Sequence, residues 1–429
     1  MKDLKKIRQK YFEGRKIFDE ESVKESEAFC MLPWVHLYIS QFGTVAPCCV
    51  TPWEEDNAFG NVNKNSVNDI WHGEPIKKMR ANMLKDKKDS RCWQCYENEA
   101  AGIRSHRKIA NWRYIHQLDW VKTTKANGDA PDSKPIYLDI RISNLCNFKC
   151  RICGHNSSSK WYDDAKALGE LAFDKALDYS IEDVDDVLAQ LTEYADDIEE
   201  IVFAGGEPVL MEEHYKVLDF LKKHNRFDVQ LRYITNFSET AIGKKDIFNE
   251  WKTFTDVNVH ASLDGMGLRG EMQRKGQDWK KTVENRERML RELPDVNFMV
   301  QSTINIFNVL HIPDFHKKWV EEGLVKIDSF LPHTLKYPNE FCIKILPPEM
   351  KKEVAKKYKE HLKWLEASGA SGMQYDYVHN EYKHTISFMN SEDWTDKIPQ
   401  FRNRCKVLDE LRQESTVEAC PELEPLLKE

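Results

Sequence analysis

The 429-residue sequence contains no long hydrophobic run. No segment approaches the roughly 20 apolar residues that a bilayer crossing needs, so a membrane protein is not expected. The first 26 residues carry charges throughout and lack an apolar stretch followed by small residues, so they predict a solvated helix and no secretory signal. Internal repeats and low-complexity tracts are also missing, which excludes repeat and fibrous architectures.

A surplus of positive charge is missing too. The 63 Lys and Arg residues face 71 Asp and Glu residues, and the net charge of -8 argues against a dedicated nucleic-acid binder. A hydrophobic content of 41% and a charged content of 31% indicate a polar, soluble protein, and the length suits a large α/β domain with an appended module. The 11 cysteines, without an export signal, favour metal ligation over disulfides in a reducing cytoplasm.

From Ile136 onward, short apolar runs alternate with segments of helical periodicity. The predicted strands lie within residues 137–143, 198–206, 229–236, 257–264, 297–305 and 325–331. The predicted helices between them cover residues 181–195, 212–223, 278–292 and 311–322. This alternation predicts right-handed βαβ units and a parallel sheet, either open or curved into a full or partial barrel. In barrels the chemistry lies at the C-terminal ends of the strands.

Three cysteines follow the first of these strands. Cys146, Cys150 and Cys153 form a Cys-x3-Cys-x2-Cys loop, and three thiolates can ligate only three irons of a cuboidal cluster. The open iron can then chelate the amine and carboxylate of a small ligand. The alternatives are a zinc site or three unrelated buried cysteines, although zinc normally takes four ligands and favours paired knuckles.

The loop resembles the signature of the radical S-adenosylmethionine (SAM) superfamily, over about residues 136–330. In that family the residue before the third cysteine is often aromatic, and here it is Ile152. The resemblance implies an α/β fold with a partial (β/α)6 TIM-like barrel and a 4Fe-4S cluster that binds SAM. It also implies reductive cleavage of SAM to methionine and a 5'-deoxyadenosyl radical, which abstracts a hydrogen atom from a substrate.

Residues at the ends of the next strands extend this resemblance. The second strand ends in a sequence similar to the family's GGEP motif, whose glycines allow close backbone approach and whose carboxylate could accept hydrogen bonds from the SAM ammonium. The residues that the resemblance assigns to SAM contact are Gly205, Gly206, Glu207, Pro208, Asn236, Ser262 and Arg274. Ordinary turn or cap duty is the alternative for each single residue, and Asp264 could equally be a turn former before Gly265.

A second group of cysteines lies in the N-terminal module. The sequence before Cys48 predicts a β-hairpin that turns at Gly43 and brings Cys30 and Cys48 together. Ser66 and Asp69 are spaced as a capping box at the start of a helix, which returns the chain to a Cys-x2-Cys knuckle. The four cysteines predicted to form a thiolate cage are Cys30, Cys48, Cys92 and Cys95. Either an iron-sulfur cluster or a structural zinc ion would suit this cage.

The remaining cysteines have no predicted ligand role. Cys49 follows Cys48 on a strand, and adjacent strand residues point to opposite faces. Cys342, Cys405 and Cys420 lack a close partner in the sequence, and small buried hydrophobic side chains are their expected role.

The N-terminal module resembles the twitch domain, the shortened form of the SPASM domain in radical SAM enzymes. The module usually follows the barrel, and here it precedes it. The resemblance implies a second, auxiliary 4Fe-4S cluster. Four cysteine ligands would leave no iron of this cluster open for substrate, which favours a role in electron transfer. It further implies a peptide or small polar substrate, often oxidised, and an electron donor such as flavodoxin or ferredoxin.

The predicted domains are a helical extension, the auxiliary domain with its linker, the radical SAM core and a C-terminal region, over residues 1–26, 27–135, 136–330 and 331–429. The C-terminal region, with a predicted helix over 348–366, either caps the barrel mouth or forms a solvated exterior layer. The alternative function is a non-catalytic, zinc-stapled scaffold or nucleic-acid-binding protein that uses the basic stretch 77–91, although such charge runs are more often solvated helix faces.

Overall fold

A computed structural model describes residues 14–52, 55–100, 102, 104–171 and 180–428 of the chain. The first part of the predicted N-terminal helix, over residues 1–13, lies outside the described residues. Within them, a short helix begins after Asp19, whose side chain accepts a hydrogen bond from the Ser22 amide in a reciprocal capping box.

The strands are numbered in chain order. They are β1 His36–Ile39, β2 Thr44–Ala46, β3 Gly60–Asn61, β4 Tyr137–Ile140, β5 Lys149–Cys150, β6 Glu200–Phe203, β7 Gln230–Thr235, β8 Ala241–Ile242, β9 Lys245–Asp246, β10 Val257–Ser262, β11 Arg274–Lys275, β12 Asn297–Ile304 and β13 Phe330–Thr334.

The α-helices are numbered in the same way. They are α1 Glu20–Glu25, α2 Leu32–Val35, α3 Val67–Trp71, α4 Glu74–Met83, α5 Trp93–Ala100, α6 His106–Arg113, α7 Leu118–Thr123, α8 Tyr162–Ala167, α9 Val184–Gln190, α10 Glu212–Lys223, α11 Ile247–Trp251, α12 Gly267–Gln273, α13 Trp279–Glu292, α14 Ile312–Glu321, α15 Pro348–Ala367, α16 Met373–Met389, α17 Ile398–Arg412, α18 Thr416–Ala419 and α19 Glu424–Leu427. No described helix combines the length and the apolar character needed to cross a membrane.

The described residues divide into two compact units. The first contains the residues up to 143 together with 179–205 and 212–231. The second contains residues 144–178, 206–211 and those from 232 onward.

The first unit is built on strands β1 to β4 and β6. The predicted hairpin is present, because β1 pairs antiparallel with β2, and Gly43 turns the chain with a φ of 73°. On its other side β1 pairs in parallel with β4, with Tyr38 opposite Asp139, and β4 pairs in parallel with β6. The hairpin strand therefore continues the parallel ladder of the first predicted barrel strand.

The second unit contains parallel strands whose residues alternate in burial. Strand β10 pairs in parallel with β12, and β12 pairs in parallel with β13. In β10 and β12 every second residue is fully buried, while the residues between are half-buried. Helices α13 and α14 lie in the chain between these strands, as expected for βα units.

The α/β class with a parallel central sheet is confirmed, and the predicted segments are found at β4, β6, β7, β10, β12 and β13. Helix α10 has the predicted bounds, α13 begins one residue later than predicted, and α14 is one residue shorter than predicted at each end. The sixth strand begins at Phe330, later than predicted, because the Ser329 amide closes a turn onto the Lys326 carbonyl. The polar residues of that turn interrupt the apolar run from which the strand was predicted.

Candidate metal centres

The loop that carries Cys146, Cys150 and Cys153 is fixed through its backbone. Cys150 lies on β5, which pairs antiparallel with β11 so that Cys150 is opposite Arg274. The Trp161 indole Nε1 donates a hydrogen bond of 2.8 Å to the Cys150 carbonyl. The loop is therefore a braced hairpin rather than a free connection.

The three thiols of this loop influence one another. A hydrogen bond with the Cys153 thiol, together with the Arg274 guanidinium, lowers the pKa of Cys150 to about 7 against the effect of burial. The same hydrogen bond and burial raise the pKa of Cys153. Burial and the charge of Cys150 raise the pKa of Cys146 to about 12. The three thiols therefore lie close enough to interact electrostatically.

Arg274 provides a buried cation at this site. Its Nη1 lies 3.8 Å from the Cys150 sulfur, and its Nη2 lies 2.8 Å from the Asp264 carboxylate. Asp264 is itself buried, and its Oδ1 accepts a hydrogen bond of 2.7 Å from the Thr303 amide. Asp264 therefore orients Arg274, which goes beyond the role of a turn former.

The Glu207 carboxylate faces the end of β7. It accepts hydrogen bonds of 2.6 Å from the Thr235 hydroxyl and 2.7 Å from the Asn236 amide. Burial raises the pKa of Glu207 to about 7. Both carboxylate oxygens already have protein donors, so the main visible role of Glu207 is to join its turn to the end of β7. Pro208, the next residue, opens a short 3-10 turn.

The two glycines before Glu207 allow close backbone approach. Gly205 has a φ of 113°, a conformation that other residues rarely adopt. A Cβ on Gly206 would lie 2.0 Å from the Leu145 carbonyl oxygen, and the Glu207 amide donates a hydrogen bond of 2.8 Å to that oxygen. The glycine at 206 therefore lets this turn lie directly against the residue before Cys146.

Asn236 connects the end of β7 to the cysteine loop. Its Nδ2 donates a hydrogen bond of 2.7 Å to the Asn147 side chain, which in turn donates one of 2.9 Å to the Ser238 hydroxyl. Ser262 is half-buried at the last position of β10. The structure thus joins Gly206, Glu207 and Asn236 to one side of the loop and Arg274 to Cys150, while Ser262 lies at a strand end.

The second cysteine group lies in the first unit around a single cavity. Its lining residues are Cys30, Leu32, Pro33, Pro47, Cys48, Val50, Met79, Met83, Cys92, Cys95, His106 and Arg107. All four predicted ligands line this cavity, and Cys49, which is half-buried, is not among the lining residues. The cavity is thus walled by thiols and apolar side chains, with two basic residues of α6.

The four thiols of this cavity need a positively charged partner to ionise. Burial raises the pKa of each of the four cysteines, which disfavours the thiolate form. Among the described residues, no three Cys, His, Asp or Glu side chains converge on one ion-sized position.

Arg107 is a buried residue of this cavity that sequence reasoning missed. Its guanidinium donates hydrogen bonds to the Phe29 carbonyl at 2.7 Å and to the Glu99 carboxylate. It thereby ties the segment before Cys30 to α5, which contains Cys95. A basic residue twelve positions after a cysteine knuckle matches no sequence pattern that could have identified this role.

Comparison with protein families gives two matches. Residues 30–96 match SPASM, the family model described as an iron-sulfur cluster-binding domain, and residues 140–322 match the radical SAM superfamily.

Several solved structures resemble the chain at low identity. The structure of anSMEcpe with bound AdoMet shares 20% identity at a TM-score of 0.37, covering 54% of this chain and 57% of that chain. The structure of SuiB from Streptococcus suis bound to S-adenosylmethionine shares 12% identity at a TM-score of 0.36, covering 78% of this chain and 69% of that chain. The structure of TYW1 with a lysine-pyruvate adduct bound shares 14% identity at a TM-score of 0.30, covering 53% of this chain and 71% of that chain. This chain therefore spans little more than half the length of anSMEcpe.

The cysteine loop and the four cysteines of the cavity fall within the two matched domains, whose cofactors are a SAM-binding 4Fe-4S cluster, SAM itself and an auxiliary iron-sulfur cluster. The chain therefore contains a radical SAM superfamily domain over residues 140–322 and, N-terminal to it, a SPASM-type iron-sulfur cluster-binding domain over residues 30–96.

Proposed function

We propose that this radical SAM enzyme cleaves SAM reductively at an iron-sulfur cluster held by Cys146, Cys150 and Cys153, and that it oxidises a peptide or small polar substrate. When bound there, the reduced cluster and SAM together supply a 5'-deoxyadenosyl radical that abstracts a hydrogen atom. An electron donor such as flavodoxin or ferredoxin would supply the first electron.

The arrangement of the three thiols in one braced loop carries the proposal. Three thiolates leave one iron of a cubane without a protein ligand, and that iron can take the amine and carboxylate of SAM. Arg274 offsets negative charge beside Cys150, and Asp264 fixes its direction. Gly206 keeps the neighbouring turn in contact with the residue before Cys146.

A polar substrate is favoured by the half-buried face of strands β10 and β12. A barrel interior is normally filled by branched apolar side chains. Here His260 shares a hydrogen bond of 3.1 Å with Gln301 on that face. Burial lowers the pKa of His260 to about 4, so the imidazole is neutral and can either donate or accept a hydrogen bond. Such groups suit amides and hydroxyls.

The auxiliary cage favours an electron-transfer role. Hydrogen-atom abstraction leaves a substrate radical, and oxidation of that radical releases a second electron. Four cysteine ligands would complete the coordination of the auxiliary cluster, so it can accept this electron without binding the substrate.

Anaerobic purification and Cys150→Ala test the proposal. The wild-type protein should be brown with about eight irons per chain, and under reduction it should release 5'-deoxyadenosine from SAM. Cys150→Ala should abolish that release, while Cys342→Ala, a change at a buried cysteine of the same unit, should retain it. A colourless, zinc-loaded wild type, or an unchanged rate in Cys150→Ala, would refute the proposed function.

A further inference from the structure

The end of helix α17 and the turn after it contact Arg151, the residue after Cys150, and are linked to Lys149, the residue before it, through Asp164. We call residues 409–416 the C-terminal turn. Helix α17 ends at Arg412, and the chain reverses at Gln413, whose φ is 52°. The residues that follow extend from there to Thr416, the first residue of α18.

On one side, Asp164 links Arg412 of the C-terminal turn to Lys149, the residue before Cys150. The Lys149 ammonium lies 2.8 Å from one oxygen of Asp164, and the Arg412 Nε donates a hydrogen bond of 2.7 Å to the other oxygen. Lys275, which pairs with Lys149 between β5 and β11, donates a hydrogen bond of 3.1 Å to the Arg412 carbonyl. Both strands of the hairpin that contains Cys150 are therefore attached to Arg412.

On the other side, the C-terminal turn contacts Arg151, the residue after Cys150. The Arg151 side chain is completely buried and pairs with Asp409, and its Nη2 lies 3.2 Å from a Glu414 oxygen. Its Nη1 donates a hydrogen bond of 3.1 Å to the Thr416 hydroxyl. The C-terminal turn thus holds the backbone of the cysteine loop from both sides of its middle cysteine.

Arg412 has a further property that its structural contacts do not account for. Its side chain is completely buried, yet Nη1 and Nη2 have no hydrogen-bond partner among the described residues. The guanidinium lies over the ring of Trp161 at 4.7 Å, and Trp161 donates its indole hydrogen bond to the Cys150 carbonyl.

The charges around the C-terminal turn do not cancel. Four cations face three carboxylates: Lys149, Arg151, Lys275 and Arg412 against Asp164, Asp409 and Glu414. One positive charge is in excess in this largely buried group, beyond the separate pair of Arg274 and Asp264. Net charge near an iron-sulfur cluster is one of the determinants of its reduction potential, and a cation favours the reduced, more negative state.

We propose that the C-terminal turn positions the cysteine loop and that Arg412 is the positioning residue whose charge raises the reduction potential of the SAM cluster. This inference rests on the proposed function, since it takes Cys146, Cys150 and Cys153 as the ligands of that cluster. It assigns residues from the far end of the chain to the control of its first electron transfer.

Potentiometric titration of the reconstituted full-length protein, followed by electron paramagnetic resonance, tests the inference. The signal that changes when SAM is added identifies the SAM cluster. In Arg412→Gln, the ratio of reduced to oxidised cluster at a given potential should fall about tenfold, which is a shift of about -59 mV for one electron. Asp164→Asn removes a carboxylate and should shift the potential in the positive direction, while Arg412→Lys should remain near wild type.

Arg286→Gln is the matched control, because Arg286 is also a buried arginine stacked on an aromatic ring, at 4.0 Å from the centre of Phe298. It should leave the potential unchanged. Shifts of opposite sign in Arg412→Gln and Asp164→Asn support the inference, since a merely structural defect would not reverse sign. An unchanged potential in both variants, or the same shift in both, overturns it. A wild-type protein with no SAM-sensitive signal would instead contradict the proposed function.

Discussion

Substituting Gly206 by alanine tests the contact between the turn after β6 and the cysteine loop. The added Cβ would lie 2.0 Å from the Leu145 carbonyl oxygen and 2.5 Å from its carbon. Non-bonded atoms prefer separations of about 3.5 Å, so the two backbones would have to separate by about 1.5 Å. Both contact atoms belong to backbone, and neither can rotate away as the end of a side chain could.

This displacement should reach the cluster ligands directly. Leu145 precedes Cys146, and its carbonyl also accepts the hydrogen bond from the Glu207 amide at 2.8 Å. A misplacement of about 1 Å in a catalytic arrangement can lower a rate by about 10²-fold. We therefore expect Gly206→Ala to reduce 5'-deoxyadenosine formation at least about 10²-fold, with partial loss of iron from the SAM cluster.

Gly154→Ala is the matched control. Gly154 directly follows Cys153, and a Cβ at this position would meet no atom within 4 Å. The assay is anaerobic reconstitution of both variants, followed by iron analysis and quantification of 5'-deoxyadenosine under reduction. A wild-type rate in Gly206→Ala, or equal losses in both variants, would refute the steric argument.

Three further outcomes are expected. Glu207→Gln should lower the free energy of unfolding by about 1–3 kcal/mol, measured by chemical denaturation. Glutamine has an NH2 group in place of one carboxylate oxygen, so one of the two hydrogen bonds that Glu207 accepts from Thr235 and Asn236 would be lost. Unchanged stability would contradict the assigned contacts. Cys92→Ala should remove about four irons per chain, whereas Cys49→Ala should remove none; equal losses would mean that the cage is assigned wrongly. Burial lowers the pKa of His260 and His333 to about 4, so the unfolded chain binds protons first as the pH falls. The stability that these residues contribute should be complete above about pH 6.5 and decline towards pH 4, by up to ~1.4 kcal/mol per pH unit for each; a pH dependence of unfolding that is unchanged when His260 and His333 are replaced by glutamine would contradict this.

Local sequence patterns predicted the elements of the core well. Strand β10 alternates between buried and half-buried residues, and helix α10 repeats its apolar residues at helical spacing. Both patterns arise from neighbouring residues, because burial on one face imposes a period of two on a strand and 3.6 on a helix. The start of β13 was missed because a hydrogen-bonded turn, not hydropathy, determines it.

The N-terminal module shows where local patterns were insufficient. The hairpin at Gly43 follows from turn chemistry, but the parallel pairing of β1 with β4 joins residues about a hundred positions apart. The unit that contains the cysteine cavity consequently includes β4 and β6 as well. The predicted domain boundaries, including the one near Pro135, stay predictions.

The sequence by itself predicts the candidate ligands of the first metal centre, because the spacing of Cys146, Cys150 and Cys153 limits what one loop can bind. Only the tertiary structure decided their surroundings. Glu207 bonds to the end of β7, and Asp164 meets Arg412 across 248 residues of sequence. Such contacts depend on the path of the whole chain, and the periodicity of hydrophobic residues within a short segment does not predict them. The electrostatics of the cysteine loop is therefore a property of the folded protein.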